Sequence, residues 1–398
     1  MVEKGAIVEL NQLHRKYRSL LLDGIVPFWF KYGIDWEYGG VRTCMTDEGS
    51  PLSGDKFIWS QARSVWTFSA LYNRIEKRTE FLKAAQNSIR FLLAHGRDNE
   101  GRWLYHTDRK GSVIEGAISI YADCFVVYGF SEYYRAVQDE NILSLARASY
   151  ERIRRRIGMP DFSETAPYKL PPGRKAHGIP MIMLEVTNEL AQTTGDANLE
   201  PLADYYASRI MDHFVRPGRK LLLEFLNDKY EELPPNEGTF VMPGHAIESM
   251  WFVLHLAMRR NDKKLVHRAA EVIRWHLEAG WDPQFGGLFL GIDAEGNEPF
   301  LPHSEKKLWW PHTEALYALL LGYKLTGEEW WADWYRKVHE WSFSHLEMPE
   351  AGEWRQRLDR AGNPITEVIG LPVKDPFHLP RAATLIVQLL EADSFSTF

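Results

Sequence analysis

The chain has 398 residues, 45% of them hydrophobic and 13% aromatic, fifteen of these being tryptophan, so it can build a large core and an aromatic-walled cavity. Its net charge of −7 arises from acids and bases mixed along the sequence, which leaves neither a basic footprint for nucleic acid nor a polybasic membrane patch. No run approaches twenty apolar residues, the N-terminus lacks a long apolar stretch, and the two cysteines, Cys44 and Cys124, lie far apart; a soluble protein of a reducing, cytoplasmic compartment is expected.

A small pattern recurs along the chain at intervals of roughly sixty residues, the signature of one supersecondary unit used repeatedly. Glycine-led, hairpin-like segments begin at Gly39-Gly40, Gly101, Gly286-Gly287 and Gly352, and helix openings follow at Ser60, Ser119, Ile179, Pro243, Trp310 and Leu379. Between ribbons the sequence reads as helix pairs. Thr79 to His95 sets Phe81, Leu82, Ala85, Ile89, Leu92 and Leu93 on one stripe with Lys83, Gln86 and Asn87 opposite, and Asn141 to Ile157 and Lys263 to Gly280 are one-sided in the same way. These are outer helices. The second helix of each pair is apolar nearly all round, as in Tyr121 to Tyr128 and Ala315 to Leu321, and must be surrounded by protein. Six buried helices inside six amphipathic ones, with no linker between units, predict an all-α fold: an (α/α)6 barrel of twelve helices, one domain over residues 1–398, with short β-hairpins closing one end.

Pro180, Pro243, Pro311 and Pro380 stand at or near four inner helix openings, where the missing N–H costs nothing. The positive ends of the inner helices should therefore converge on the ribbon side, where developing negative charge is favoured. Beside those openings stand the chemically capable residues: Arg63 on the first inner helix, Asp123 on the second, Met181 on the third, His245 and Glu248 on the fourth, His312 and Glu314 on the fifth, and His378 and Arg381 on the last. Any one His–Glu pair can be a core polar pair, and tryptophans at helical spacing usually pack cores; the clustering at one end of the ring favours a site. His245 with Glu248, joined by His312 and Glu314, could hold a metal, but there is no His-Glu-x-x-His, cysteine cluster or paired Glu-x-x-His, and no metal is expected. Nucleotide-binding glycine loops and a Gly-x-Ser-x-Gly elbow are also missing. Two imidazoles around an arginine suit proton transfer at a carbon next to a carbonyl, one base on each face, with Arg63 and the helix ends stabilising the enediolate.

Lys56 to Trp66, Tyr121 to Phe125, Ile179-Pro180-Met181-Ile182, Pro243 to Trp251, Lys307 to Leu316 and Phe377-His378-Leu379-Pro380-Arg381 together resemble the N-acylglucosamine 2-epimerase family, which includes the renin-binding proteins. The resemblance implies the (α/α)6 barrel and 2-epimerisation of an unphosphorylated sugar through ring opening and an enediolate. It matches His245 and His378 to the acid–base pair, Arg63 to the essential arginine, Glu248 and Glu314 to carboxylates that orient histidine or substrate, and Trp251 and Trp310 to aromatic positions along the sugar. Asp123, Met181 and Arg381 complete the expected substrate-binding set. Relatives acting on mannose or cellobiose-type disaccharides carry an extra histidine on the third inner helix, where this chain has Pro180-Met181-Ile182; interconversion of N-acetylglucosamine and N-acetylmannosamine is therefore expected. No cofactor is expected to be required, although some family members need a nucleotide such as ATP as a non-consumed activator. The expected partners are the sugar and a second copy in a homodimer. An aldose–ketose isomerase, a glycoside hydrolase and a non-catalytic binding module are the competing readings.

Overall fold

The computed structural model describes residues 4–165, 169–368 and 373–391. Six inner helices, Ile58–Ala70, Ile120–Val137, Gly178–Thr194, Pro243–Arg260, Trp309–Thr326 and His378–Glu391, each pack on the next, and the last packs back on the first. Six outer helices, Lys4–Ser19, Thr79–His95, Glu140–Ile157, Glu200–Arg209, Lys263–Gly280 and Glu329–His345, lie around them. Lys4–Ser19 packs on His378–Glu391, so the first outer helix joins the last inner one. This is the (α/α)6 barrel, and all six openings lie within two residues of the positions read from the sequence.

Burial follows the helix patterns. Trp309–Thr326 is buried on all sides, whereas Lys263–Gly280 buries Ala269, Val272, Ile273, His276 and Leu277 along one side. One apolar cluster runs through all six repeats, and each fully buried leucine or phenylalanine in it contributes about 1.5–3 kcal/mol. Two positions on the outer helix Thr79–His95 depart from the expected stripe. Leu93 is exposed, and Asn87, expected on the polar side, is buried. Asn87 Nδ2 donates to the carbonyls of Asp35 and Gly40 at 3.1 Å each, so it pins the turn that those carbonyls also close through the Gly39 and Asp35 N–H groups.

The ribbons interlock neighbouring repeats. Lys56–Phe57 leads into the first inner helix and pairs antiparallel with His106–Thr107 of the next unit, with Lys56 opposite Thr107. Phe240–Val241 pairs with Ile292–Asp293, and Lys307–Leu308 with Arg357–Leu358, in the same way. An ion-pair motif repeats with them. Lys56 Nζ lies 3.1 Å from Asp35 Oδ2 and Lys307 Nζ 3.1 Å from Asp282 Oδ2, all four side chains fully buried. Each aspartate also accepts from an arginine, Arg109 at 2.8 Å and Arg360 at 2.9 Å. In both repeats the aspartate precedes a Gly-Gly pair by four residues (Asp35 and Gly39-Gly40, Asp282 and Gly286-Gly287). The pairs fix the strands that lead into the first and fifth inner helices. Cys44 and Cys124 are both buried and free. Among the described residues, no helix is long and apolar enough to cross a membrane.

Candidate active site

All six inner helices contribute to one cavity of about 430 Å³ at the ribbon end of the ring. Trp59 and Arg63 come from the first, Phe125 and Tyr128 from the second, Met181 and Glu185 from the third, His245 and Glu248 from the fourth, Trp309 and Trp310 from the fifth, and His378 and Arg381 from the last. Leu301, Pro302 and His303 from the loop before Lys307 line its outer part.

Trp310 borders both histidines. Its ring centroid is 5.2 Å from that of His245 and 5.8 Å from that of His378. Gly244 permits this placement, because a Cβ there would sit 2.6 Å from Trp310 Cζ3.

The two imidazoles stand in opposite electrostatic settings. His378 Nδ1 lies 2.8 Å from Glu314 Oε1, and Arg381 binds that same oxygen at 2.8 Å while also pairing with Glu248. Burial, with the Arg63 and Arg381 guanidiniums nearby, pushes His378 well below the usual histidine range and holds it neutral. His245 Nδ1 lies 3.3 Å from Glu224 Oε2. Burial is the largest influence and opposes its charge, but Glu224, Glu248 and Glu314 together outweigh burial and raise its pKa, which favours the protonated form relative to a free histidine. Glu224 is buried among two imidazoles, His245 and His177, whose attraction outweighs desolvation and holds its carboxyl down at about 2.

Arg63 reaches Asp375 Oδ2 at 2.8 Å, and Ser60 Oγ donates to the same oxygen at 3.2 Å. Its guanidinium lies over the rings of Phe125 (4.0 Å), Phe377 (4.7 Å) and Trp59 (4.9 Å). The aromatic box and one carboxylate fix the planar group at the edge of the cavity.

The model of the family described as N-acylglucosamine 2-epimerase (GlcNAc 2-epimerase) matches residues 39–381. The chain belongs to this family. It is 32% identical to the N-acylglucosamine 2-epimerase of Bos taurus over 378 residues, 93% of this chain and 89% of the relative. It is 25% identical to the cellobiose 2-epimerase of Dictyoglomus turgidum, over 96% of this chain and the whole of that protein. The structure of cellobiose 2-epimerase from Bacillus thermoamylovorans B4167 superposes with a TM-score of 0.83 at 21% identity, covering 95% of this chain and 99% of the other; at that identity the likeness is one of fold.

Within this member of the N-acylglucosamine 2-epimerase family, the structure gathers Arg63, His245, Glu248, Trp310, Met181, His378 and Arg381 on the cavity wall. Glu314 lies just behind, held by His378, Arg381 and the Trp251 Nε1–H, which donates to its Oε2 at 2.8 Å. Trp251 is therefore a support below Glu314 and Arg381 and does not line the cavity, in contrast to the expected place along the sugar. Asp123 also lies elsewhere. Tyr121 and Phe125 line the cavity, and a residue two positions from either points about 200° round the helix. Asp123 accordingly faces Arg152 of the neighbouring outer helix at 3.8 Å. The same rotation from Trp310 turns His312 outward, where Nδ1 donates to the Leu308 carbonyl at 2.7 Å, Nε2 accepts from the Leu288 N–H at 2.9 Å, and the ring stacks on Trp341. Glu248, one turn from His245, pairs with Arg381, and the partner of His245 is Glu224.

Glu224, Asp375 and Glu185 escape a reading of helix openings. Glu224 and Asp375 sit on connecting segments, where no helical period marks them. Glu185 had a local signal, as the one charge in Met181 to Val186, four residues after Met181. Tyr128 Oη donates to it at 3.0 Å, and burial holds its carboxyl up at about 7. The wall that carries Met181 and Ile182 is thus not wholly apolar.

Proposed function

We propose that this protein is a sugar 2-epimerase that interconverts N-acetylglucosamine and N-acetylmannosamine by proton transfer between two histidines. The observation that carries the reading is the opposed electrostatic setting of His245 and His378, two histidines on the cavity wall that both border Trp310. Groups whose surroundings push their protonation apart are the natural acid and base of one reaction.

The sugar ring opens to the free aldehyde. Both imidazoles give Nδ1 to a carboxylate, so Nε2 is the atom that meets the substrate. His378 Nε2 removes the proton from C2; the C–H electrons form the C1=C2 bond and charge collects on O1. Arg63 and the inner helix ends stabilise that oxyanion. The His245 imidazolium then delivers its Nε2 proton to the opposite face of C2, the carbonyl re-forms, and the centre is inverted. Exchange with solvent returns each imidazole to the state its surroundings favour.

This scheme routes no step through a metal, and the slot between Glu248 and Glu314 is filled by the Arg381 guanidinium. That pairing also argues against hydrolysis, which needs two carboxyl groups able to act as acid and as base or nucleophile. The acetamido methyl rests on Met181 and Ile182, while Glu185 and Tyr128 meet the polar atoms of the sugar.

Proton NMR in heavy water tests the reading. N-acetylglucosamine and N-acetylmannosamine should interconvert with deuterium entering C2, at a kcat/KM at least roughly tenfold above that for glucose and mannose. Equal or better turnover of the unsubstituted hexoses overturns the N-acyl assignment, and a 2-ketose product replaces epimerisation by aldose–ketose isomerisation.

A further inference from the structure

Below the cavity, His177, Glu224 and His245 bring one ligating atom each to within 4.8 Å of one another. We propose that these three residues form a binding site for a divalent transition ion of the zinc class, and that its occupation blocks epimerisation. The block rests on the role proposed for His245; the binding does not.

The separations suit the ion. His177 Nδ1 lies 3.6 Å from Glu224 Oε1 and His245 Nδ1 lies 3.3 Å from Glu224 Oε2, so each imidazole faces its own carboxylate oxygen, and one atom from each of the three residues lies within 4.8 Å of the others. Bonds of about 2.0–2.1 Å in a tetrahedral site place neighbouring ligand atoms roughly 3.3–3.4 Å apart. Two imidazoles and a carboxylate are the donor set of many zinc centres.

His177 supplies the second, independent observation. Its side chain is fully buried, Nδ1 has only the Glu224 carboxylate near it at 3.6 Å, just beyond hydrogen-bond distance, and neither ring nitrogen has a hydrogen-bond partner. A buried polar group left so is costly unless something else engages it. Its place is nonetheless fixed, since its backbone N–H donates to the Glu224 carbonyl at 2.9 Å. A small cavity of about 30 Å³, bounded by Tyr121, Gly178, Glu224 and His245, opens beside the cluster. It has room for the single water that would complete four-coordination.

The other histidine–carboxylate cluster makes the contrast. Glu248, Glu314 and His378 are equally close, but Arg381 already binds both carboxylates. Glu224 pairs only with imidazoles among the described residues, and imidazole can give up its proton to an ion where guanidinium cannot. An ion on His245 Nδ1 replaces the proton that Glu224 accepts, ties the ring to His177, and withdraws the imidazolium that delivers a proton to C2.

The test uses the full-length protein, stripped with chelator and dialysed. Co²⁺ should give the intense visible bands of a four- or five-coordinate ion, saturating at one equivalent per chain and displaced by Zn²⁺. His177→Gln, which removes a ligand without touching the sugar cavity, should weaken Zn²⁺ binding tenfold or more in competition with a chromophoric chelator. Glu224→Gln, followed by the same cobalt bands, serves as the second variant if His177→Gln does not fold. In wild type, one equivalent of Zn²⁺ should abolish sugar interconversion, and chelator should restore it. Failure to develop the cobalt bands at one equivalent, or variants that bind Zn²⁺ as wild type does, overturns the site. Stoichiometric binding with interconversion unimpaired upholds the site and removes His245 from the proton-transfer pair.

Discussion

His245 and Glu224 lie 21 residues apart and meet at 3.3 Å between Nδ1 and Oε2, one on an inner helix and the other on the connection before a ribbon. The carboxylate fixes the tautomer and orientation of the ring and favours its charged form, so a residue outside every helix opening sets the protonation of a residue inside one.

Glu224→Gln removes that charge. The His245 pKa should fall, since burial is then opposed only by the smaller pull of Glu248 and Glu314. Activity that needs protonated His245 should therefore decline at lower pH, with the alkaline limb of the kcat profile displaced to the acid side and the maximum reduced roughly tenfold or more. An unmoved alkaline limb would show that Glu224 does not tune the acid.

His245→Ala and His378→Ala should each lower interconversion by about a hundredfold to ten-thousandfold, the usual weight of a positioned acid or base, with the fold intact by circular dichroism. Each variant retains one histidine and one face, so C2 exchange in heavy water should persist, if at all, with one epimer only. Near-normal turnover in either variant would refute the two-histidine scheme.

Arg63→Lys keeps a charge but loses the planar group that Trp59, Phe125, Phe377 and Asp375 hold in place. Turnover should drop about a hundredfold or more, as for loss of an oxyanion donor. KM should change far less, because the interaction forms mainly with the enolate. Unchanged kcat would reduce Arg63 to packing.

Asp123 gives a prediction on stability. Burial raises its carboxyl to about 7, with Arg152 and Arg156 offsetting part of the effect. A carboxyl with a raised pKa in the fold destabilises it when ionised: the penalty is absent below the unfolded value of about 4 and complete above about 7. Asp123→Asn should therefore melt a few degrees above wild type at pH 8 and close to it near pH 4.5. A variant less stable at pH 8 would mean that the ionised carboxylate is paired and useful there.

Much of this protein is determined by local sequence. The contrast between one-sided and all-round apolar helices sets inner against outer, the ribbons and prolines mark where inner helices begin, and those two facts give the ring and the end at which Arg63, His245, Trp310 and His378 gather. Rotation about a helix is less legible. Asp123 and His312 are each two residues from a cavity-lining neighbour, enough to turn them to the far side, and no composition rule distinguishes a polar group that faces a cavity from one that faces another helix. Only the tertiary structure could decide the pairings: Glu224 with His245, Asp375 with Arg63, and Arg381 across Glu248 and Glu314. Each joins segments that no helical period links, and each partner is chosen by which charge burial leaves uncompensated once the ring has closed.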